Sequence, residues 1–94
     1  GKVLKKNIKF LFMEQYREII NGLDDQIMEL LIDRLLVVKD IGEYKKKNKI
    51  PVLDQKREQQ IFDKIDKKYK NKDNNNFLKS IYSHIMVETK KIQY

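Results

Sequence analysis

The sequence predicts an all-α fold with three helices per chain, one of them very long, assembled as an intertwined helical homodimer. Three observations carry this. Apolar residues recur at helical spacing, and the period-2 alternation of strands is absent. One proline and three glycines in 94 residues leave few breakers. The first apolar stripe is also too long for a domain of this size to cover with its own chain.

The long helix is expected from about residue 10 to 47. Tyr16, Ile20, Leu23, Ile27, Leu30, Arg34, Val37, Ile41 and Tyr44 follow one another in steps of four and three. That is a heptad seam with one polar intruder, Arg34. Ile19, Leu31, Leu35 and Val38 widen the stripe. The element ends before Pro51, because proline pushes the preceding residue out of helical geometry. Gly22 and Gly42 lie inside it, each costing about 1 kcal/mol relative to alanine, and are expected to mark close backbone approaches. At ~1.5 Å per residue this helix measures about 55 Å. A compact domain of this length is roughly 32 Å across. The stripe therefore continues past its own domain, and a second copy of the chain is the simplest cover.

The second helix is expected to start at Asp54, whose carboxylate suits an N-cap after the extended Pro51 and Val52. Its apolar stripe is Ile61, Phe62, Ile65 and Tyr69. "KNKDNNN" reads as a polar loop. The third helix is then expected near Asn75 or Asn76, burying Leu78, Ile81, Tyr82, Ile85 and Met86. His84 reads as a surface or satisfied residue.

Composition removes several kinds of chemistry. There is no cysteine, hence no disulfide framework or thiolate nucleophile. A single histidine argues against a metal site of the usual nitrogen and sulfur ligands, and no metal or cofactor is expected. No apolar run approaches the roughly 20 residues that span a bilayer. The basic-then-apolar "GKVLKKNIKFLF" is too short in its apolar part for a secretory signal. The chain is expected to be soluble and cytoplasmic. Residues 1–12 are expected to be an N-terminal extension or a vector-derived segment, with Met13 as a natural start and 13–94 as the functional domain. Lys and Arg total 21 against 14 acids, a formal net charge of +7. Such a field attracts any polyanion without choosing among nucleic acid, membrane and small anion.

The polar residues on apolar faces narrow the choice. Lys45 is eleven residues beyond Arg34 and points the same way within about 20°. Arg57 and Glu58 lie in the first turn of the second helix, on the stripe that continues as Ile61, Phe62 and Ile65. On the third helix, Leu78, Tyr82 and Ile85 run on to Thr89 and Gln93. Each residue has a plainer reading. Arg34 can pair with a carboxylate or reach along the seam to water. Lys45, beside "KKNK", can be a solvated charge, and Asp54 a helix cap. The joint pattern outweighs these: three apolar faces turn polar at one location, which describes an enclosed pocket. Two arginines and a lysine make it an anion pocket.

With these residues in place, the chain resembles the all-helical, AroQ-type chorismate mutases. The resemblance covers roughly residues 14–94 and rests on "YREIINGLDDQIMELLIDR", "VKDIGEYK" and above all "PVLDQKRE". It implies the intramolecular [3,3] rearrangement of chorismate to prephenate, in aromatic amino-acid biosynthesis. It also implies roles. Arg34 and Arg57 would bind substrate carboxylates, with Arg17 reaching in from the other protomer. Lys45 and Gln93 would donate hydrogen bonds to the ether oxygen. Glu58 would hold the substrate hydroxyl, with Asp54 and Thr89 in support.

The residue geometry agrees with that assembly. Arg17 and Arg34 are seventeen residues apart, about 25 Å along one helix and about 100° around it. They cannot grip one small ligand from a single chain, whereas an antiparallel partner can bring its own Arg17 to Arg34. A pericyclic rearrangement needs no nucleophile and no metal. It needs a flexible dianion held in a compact conformer, with donors aimed at the oxygen that gains negative charge.

Two functional alternatives stand beside it. An isochorismate pyruvate-lyase of the same fold would use much the same pocket. A basic helical module binding nucleic acid would need an exposed lysine stripe. The lysines here are scattered over loops and outer faces, and the aromatics fall mostly on core stripes. Neither nucleic acid nor membrane is therefore expected as a partner.

Overall fold

A computed structural model describes residues 2–52 and 55–93, with side chains from residue 7 onward. Three helices follow in order: α1 Lys2–Lys47, α2 Gln55–Lys68 and α3 Lys72–Gln93. No strand occurs among the described residues. The chain divides into two compact units, Gly1–Arg34 and Leu35–Tyr94.

The first unit is helix throughout its described length. α1 begins well before residue 10, because "KVLKKNIK" contains neither proline nor glycine to stop it. Its apolar seam is uncovered. Ile20 is 55% exposed, Leu23 48%, Ile27 52% and Leu30 67%. Gly22 has open space around it, so the close approach expected there does not exist within this chain.

In the second unit, each helix contributes one buried apolar residue: Val38 from α1, Ile65 from α2 and Met86 from α3. Leu35, Ile61, Phe62, Leu78, Tyr82 and Ile85 surround them half-buried. Ile81 stays 43% exposed and Tyr69 36%, so these two stripe residues contribute less to the core than expected. The Lys68 ammonium lies 5.5 Å from the Tyr69 ring centroid.

The ends of the helices follow local hydrogen-bond chemistry. α1 closes with the Ile50 N–H donating to the Lys45 carbonyl at 2.8 Å and the Lys49 N–H to the Lys46 carbonyl at 3.4 Å. This paired closure requires a left-handed residue, and Lys49 supplies it at φ 55°. Pro51 follows and prevents the helix from resuming. The expected cap of α2, Asp54, lies outside the described residues. The helix itself is in place from Gln55.

α3 starts earlier than "KNKDNNN" suggested. The Asn71 side chain accepts from the Asn74 N–H at 3.0 Å, so it caps the helix and draws Lys72–Asn76 into the first turns. Asn75 Nδ2 reaches back to Asp66 Oδ1 at 2.9 Å and to the Tyr69 carbonyl at 3.2 Å. The Lys79 ammonium lies 2.7 Å from the same Asp66 oxygen. These contacts clamp the α2–α3 turn.

The clamp has a pH signature. Hydrogen bonds from Lys79, then from Asn75, hold the Asp66 carboxyl below the usual carboxylate range. A depressed folded-state pKa stabilises the fold above the unfolded value of about 3.9 and loses that effect as pH falls through the lower folded value. Asp66→Asn should therefore lower the melting temperature at neutral pH. The gap from wild type should close as pH is taken below about 4. Thermal melts followed by circular dichroism at neutral and acid pH check this; a pH-independent gap would mean that the charge of Asp66 is not what the clamp uses.

Candidate active site

Within Leu35–Tyr94, the C-terminal turns of α1 and α3 meet at Gly42, Lys45 and Gln93. A Cβ added at Gly42 would come within 3.3 Å of the Gln93 Cα, closer than ordinary van der Waals contact. Gly42 is thus a close backbone approach, as its place in the helix suggested. It lets the last turn of α3 lie against α1.

That approach brings two of the expected site residues together. Lys45 Nζ donates to Gln93 Oε1 at 3.3 Å across 48 residues of chain, in a half-buried setting. The contact also orients the amide. An ammonium has only donors, so only the carbonyl oxygen of Gln93 can accept from it. The Gln93 NH2 group therefore remains a donor directed elsewhere. The Lys45 ammonium, with three protons, keeps donor capacity of its own.

The start of α2 supplies the next pair. Glu58 sits in its first turn, half-buried, where a carboxylate favours the positive end of the helix dipole. Its Oε1 lies 2.6 Å from the Lys90 ammonium, in the last turn of α3. Thr89, beside Lys90, donates its hydroxyl to the Ile85 carbonyl at 2.7 Å, which anchors its rotamer on the helix. Arg57 is exposed, with Nη1 donating to Gln60 Oε1 at 3.5 Å.

The remaining arginines belong to Gly1–Arg34. Arg17 is exposed and pairs with Glu14, one turn away, at 3.1 Å. Arg34 is half-buried, and it is not without a partner there. Asp54 lies outside the described residues. The structure thus joins Lys45 to Gln93, and Glu58 to the Thr89–Lys90 end of α3. The single chain holds Arg17 away from Arg34 by the length of helix between them.

Lys90 was not among the residues singled out from the sequence. A signal was present. Lys90 is four residues beyond buried Met86 and three before Gln93, so it extends the apolar stripe of α3 at the point where that stripe turns polar.

Charges of both signs, amide donors and a half-buried setting suit a small polar anion. Among the described residues no group of histidine, cysteine, aspartate and glutamate is placed to hold a metal ion. No described helix is long and apolar enough to cross a membrane.

Comparison with known proteins narrows the class. The bifunctional chorismate mutase/prephenate dehydratase of Aquifex aeolicus (strain VF5) is 38% identical over 53 residues, 56% of this chain. The match spans 15% of that relative's length. No solved structure matches the chain significantly. The family model described as chorismate mutase type II matches residues 16–94, which takes in α1 from Tyr16 onward, all of α2 and α3, and Arg17, Lys45, Glu58 and Gln93. On that match the chain belongs to the chorismate mutase type II family.

Proposed function

We propose that this chain is a chorismate mutase, an isomerase that converts chorismate to prephenate without a cofactor. The observation that carries the reading is the Lys45–Gln93 contact at 3.3 Å. It sets two donors side by side from the ends of two helices, 48 residues apart in sequence, in a chain of the matching family. In the rearrangement one C–O bond breaks and one C–C bond forms within a single molecule. Nothing is gained or lost, so no group must be transferred. The work left to the protein is to hold the substrate compact and to stabilise negative charge on the ether oxygen.

In this reading Lys45 and the Gln93 NH2 group donate to that oxygen. Arg34 and Arg57 bind the substrate carboxylates as planar, permanently charged donors. Glu58 accepts from the substrate hydroxyl, with Asp54 and Thr89 in support. Arg17 comes from a second copy of the chain, because about 25 Å of helix separates it from Arg34. The uncovered seam of α1 supports such a dimer. Fully burying a Leu or Ile side chain is worth about 1.5–3 kcal/mol, and at least four such residues stand open. Residues 1–12 are proposed to precede the functional domain, since the family match begins at residue 16.

The direct test is to add chorismate and follow loss of its absorbance, with prephenate identified as the product and isochorismate run in parallel. Turnover of chorismate is expected. Release of pyruvate from isochorismate with no turnover of chorismate would overturn the assignment.

The shared site makes a second prediction. Arg17→Ala and Arg57→Ala should each be nearly inactive alone. Mixed and allowed to exchange subunits, they should approach roughly a quarter of the wild-type rate, since about half the dimers are then mixed and each carries one complete site of two. Sedimentation establishes the dimer and its exchange. Exchange without recovery would place both arginines in one chain's site.

The donor role of Gln93 makes a third. Its amide donates at any pH, whereas a carboxyl donates only when protonated. Gln93→Glu should therefore be impaired at neutral pH and recover kcat as pH falls toward the glutamate range, about 4.3. Folding is checked by circular dichroism at each pH. A kcat close to wild type and flat across that range would remove Gln93 from the reacting oxygen.

A further inference from the structure

We propose that Lys90 is a positioning residue that grips one oxygen of the Glu58 carboxylate, so that the other is presented to the substrate hydroxyl. This rests on the chorismate mutase reading above, in which Glu58 accepts that hydroxyl's hydrogen bond.

The contact is short and long-range. Lys90 Nζ lies 2.6 Å from Glu58 Oε1, and the pair joins the last turn of α3 to the first turn of α2. Two ion pairs behave differently, while Lys79–Asp66 also joins α2 to α3 but at the opposite end of the pair. Arg17–Glu14 and Lys91–Glu88 each link residues three apart on one helix, with side chains 65% and 41%, and 66% and 69%, exposed. Those are solvated pairs of little energetic consequence. Lys90 and Glu58 are 40% and 30% exposed, and their separation in sequence means that the fold has to bring them together.

Location connects the pair to the reacting groups. Lys90 precedes Gln93 by three residues, one helical turn on the same face of α3. The turn that carries Lys90 is therefore anchored on one side by Glu58 and on the next by the Gln93–Lys45 contact. The helix dipoles favour each partner where it stands, a carboxylate at the start of α2 and an ammonium at the end of α3. Neither side chain needs the other in order to be tolerated there.

The chemistry needs what the contact supplies. The terminal torsion of a glutamate is broad, so an unheld carboxylate samples many orientations. A hydroxyl can be received well in only a few of them. A carboxylate has about four lone-pair sites on two oxygens, so gripping one oxygen leaves full acceptor capacity on the other. Engaged in this way, the ammonium acts through Glu58 and not on the substrate.

The test uses the full chain, with chorismate and with a chorismate analogue that lacks the ring hydroxyl. Lys90→Met should lower kcat/KM for chorismate by roughly tenfold, while Lys90→Arg, which keeps the charge and the donors, stays within about threefold of wild type. With the analogue, wild type and Lys90→Met should match. In a Glu58→Ala background, Lys90→Met should add no further loss, because the group it positions is gone. Circular dichroism verifies folding, and Lys90→Gln replaces Lys90→Met if the latter does not fold. An unchanged rate with chorismate overturns the role. An equal loss with both substrates, or a further loss in the Glu58→Ala background, makes Lys90 a structural or substrate-touching residue and also overturns it. A folded wild type inactive toward chorismate would instead defeat the chorismate mutase reading, and this one with it.

Discussion

The uncovered apolar seam of α1 is the constraint on which the rest of this protein depends. Ile20, Leu23, Ile27 and Leu30 are about half or more exposed in the single chain. Against them, the apolar side chains buried nearly completely among the described residues of the Leu35–Tyr94 unit are Val38, Ile65 and Met86. Each apolar side chain that is fully buried contributes about 1.5–3 kcal/mol, and three make a small core. A cover for the seam would therefore supply stability that the chain lacks, and the proposed second copy would deliver Arg17 as well. Folding, assembly and completion of the site would then be a single event.

The candidate site lies where helices end, and the reason is electrostatic. A helix C-terminus favours cations and an N-terminus favours anions. α1 closes on Lys45, Lys46 and Lys47, α3 on Lys90 and Lys91, and α2 opens with Glu58 in its first turn. Placing two C-terminal ends beside one N-terminal end concentrates donors and a carboxylate with little penalty to any helix. Gly42 then decides how close the donors come. Without a side chain there, the α3 backbone reaches α1, and Gln93 can accept from Lys45.

The opposite end of the α2–α3 pair shows how similar groups behave when they serve the fold alone. Asp66 takes Lys79 and Asn75 as partners, and they hold its carboxyl in the ionised form. Glu58 also takes a lysine, but at the end where Lys45 and Gln93 converge. Similar side chains are a turn clamp in one place and candidate ligand-handling groups in the other. Only their neighbours make the difference.

Much of this was legible in the residues. The steps of four and three from Tyr16 to Tyr44 determine a long amphipathic helix, since no other regular structure repeats in that way. Pro51 determines that it stops. The scarcity of breakers elsewhere determines an all-helical chain, and the absence of cysteine leaves no thiol chemistry. The polar residues interrupting the apolar stripes mark Arg34, Lys45, Glu58 and Gln93 as unusual before any contact is known. Local hydrogen bonding decided what periodicity could not: Asn71 caps α3 and turns an apparent loop into helix. Tertiary structure alone decided the pairings. Glycine spacing did not distinguish Gly42, which meets Gln93, from Gly22, which meets nothing in this chain. Lys90 could not be matched to Glu58 because an ion pair depends on distance in space, and sequence separation carries no measure of that until the helices have packed.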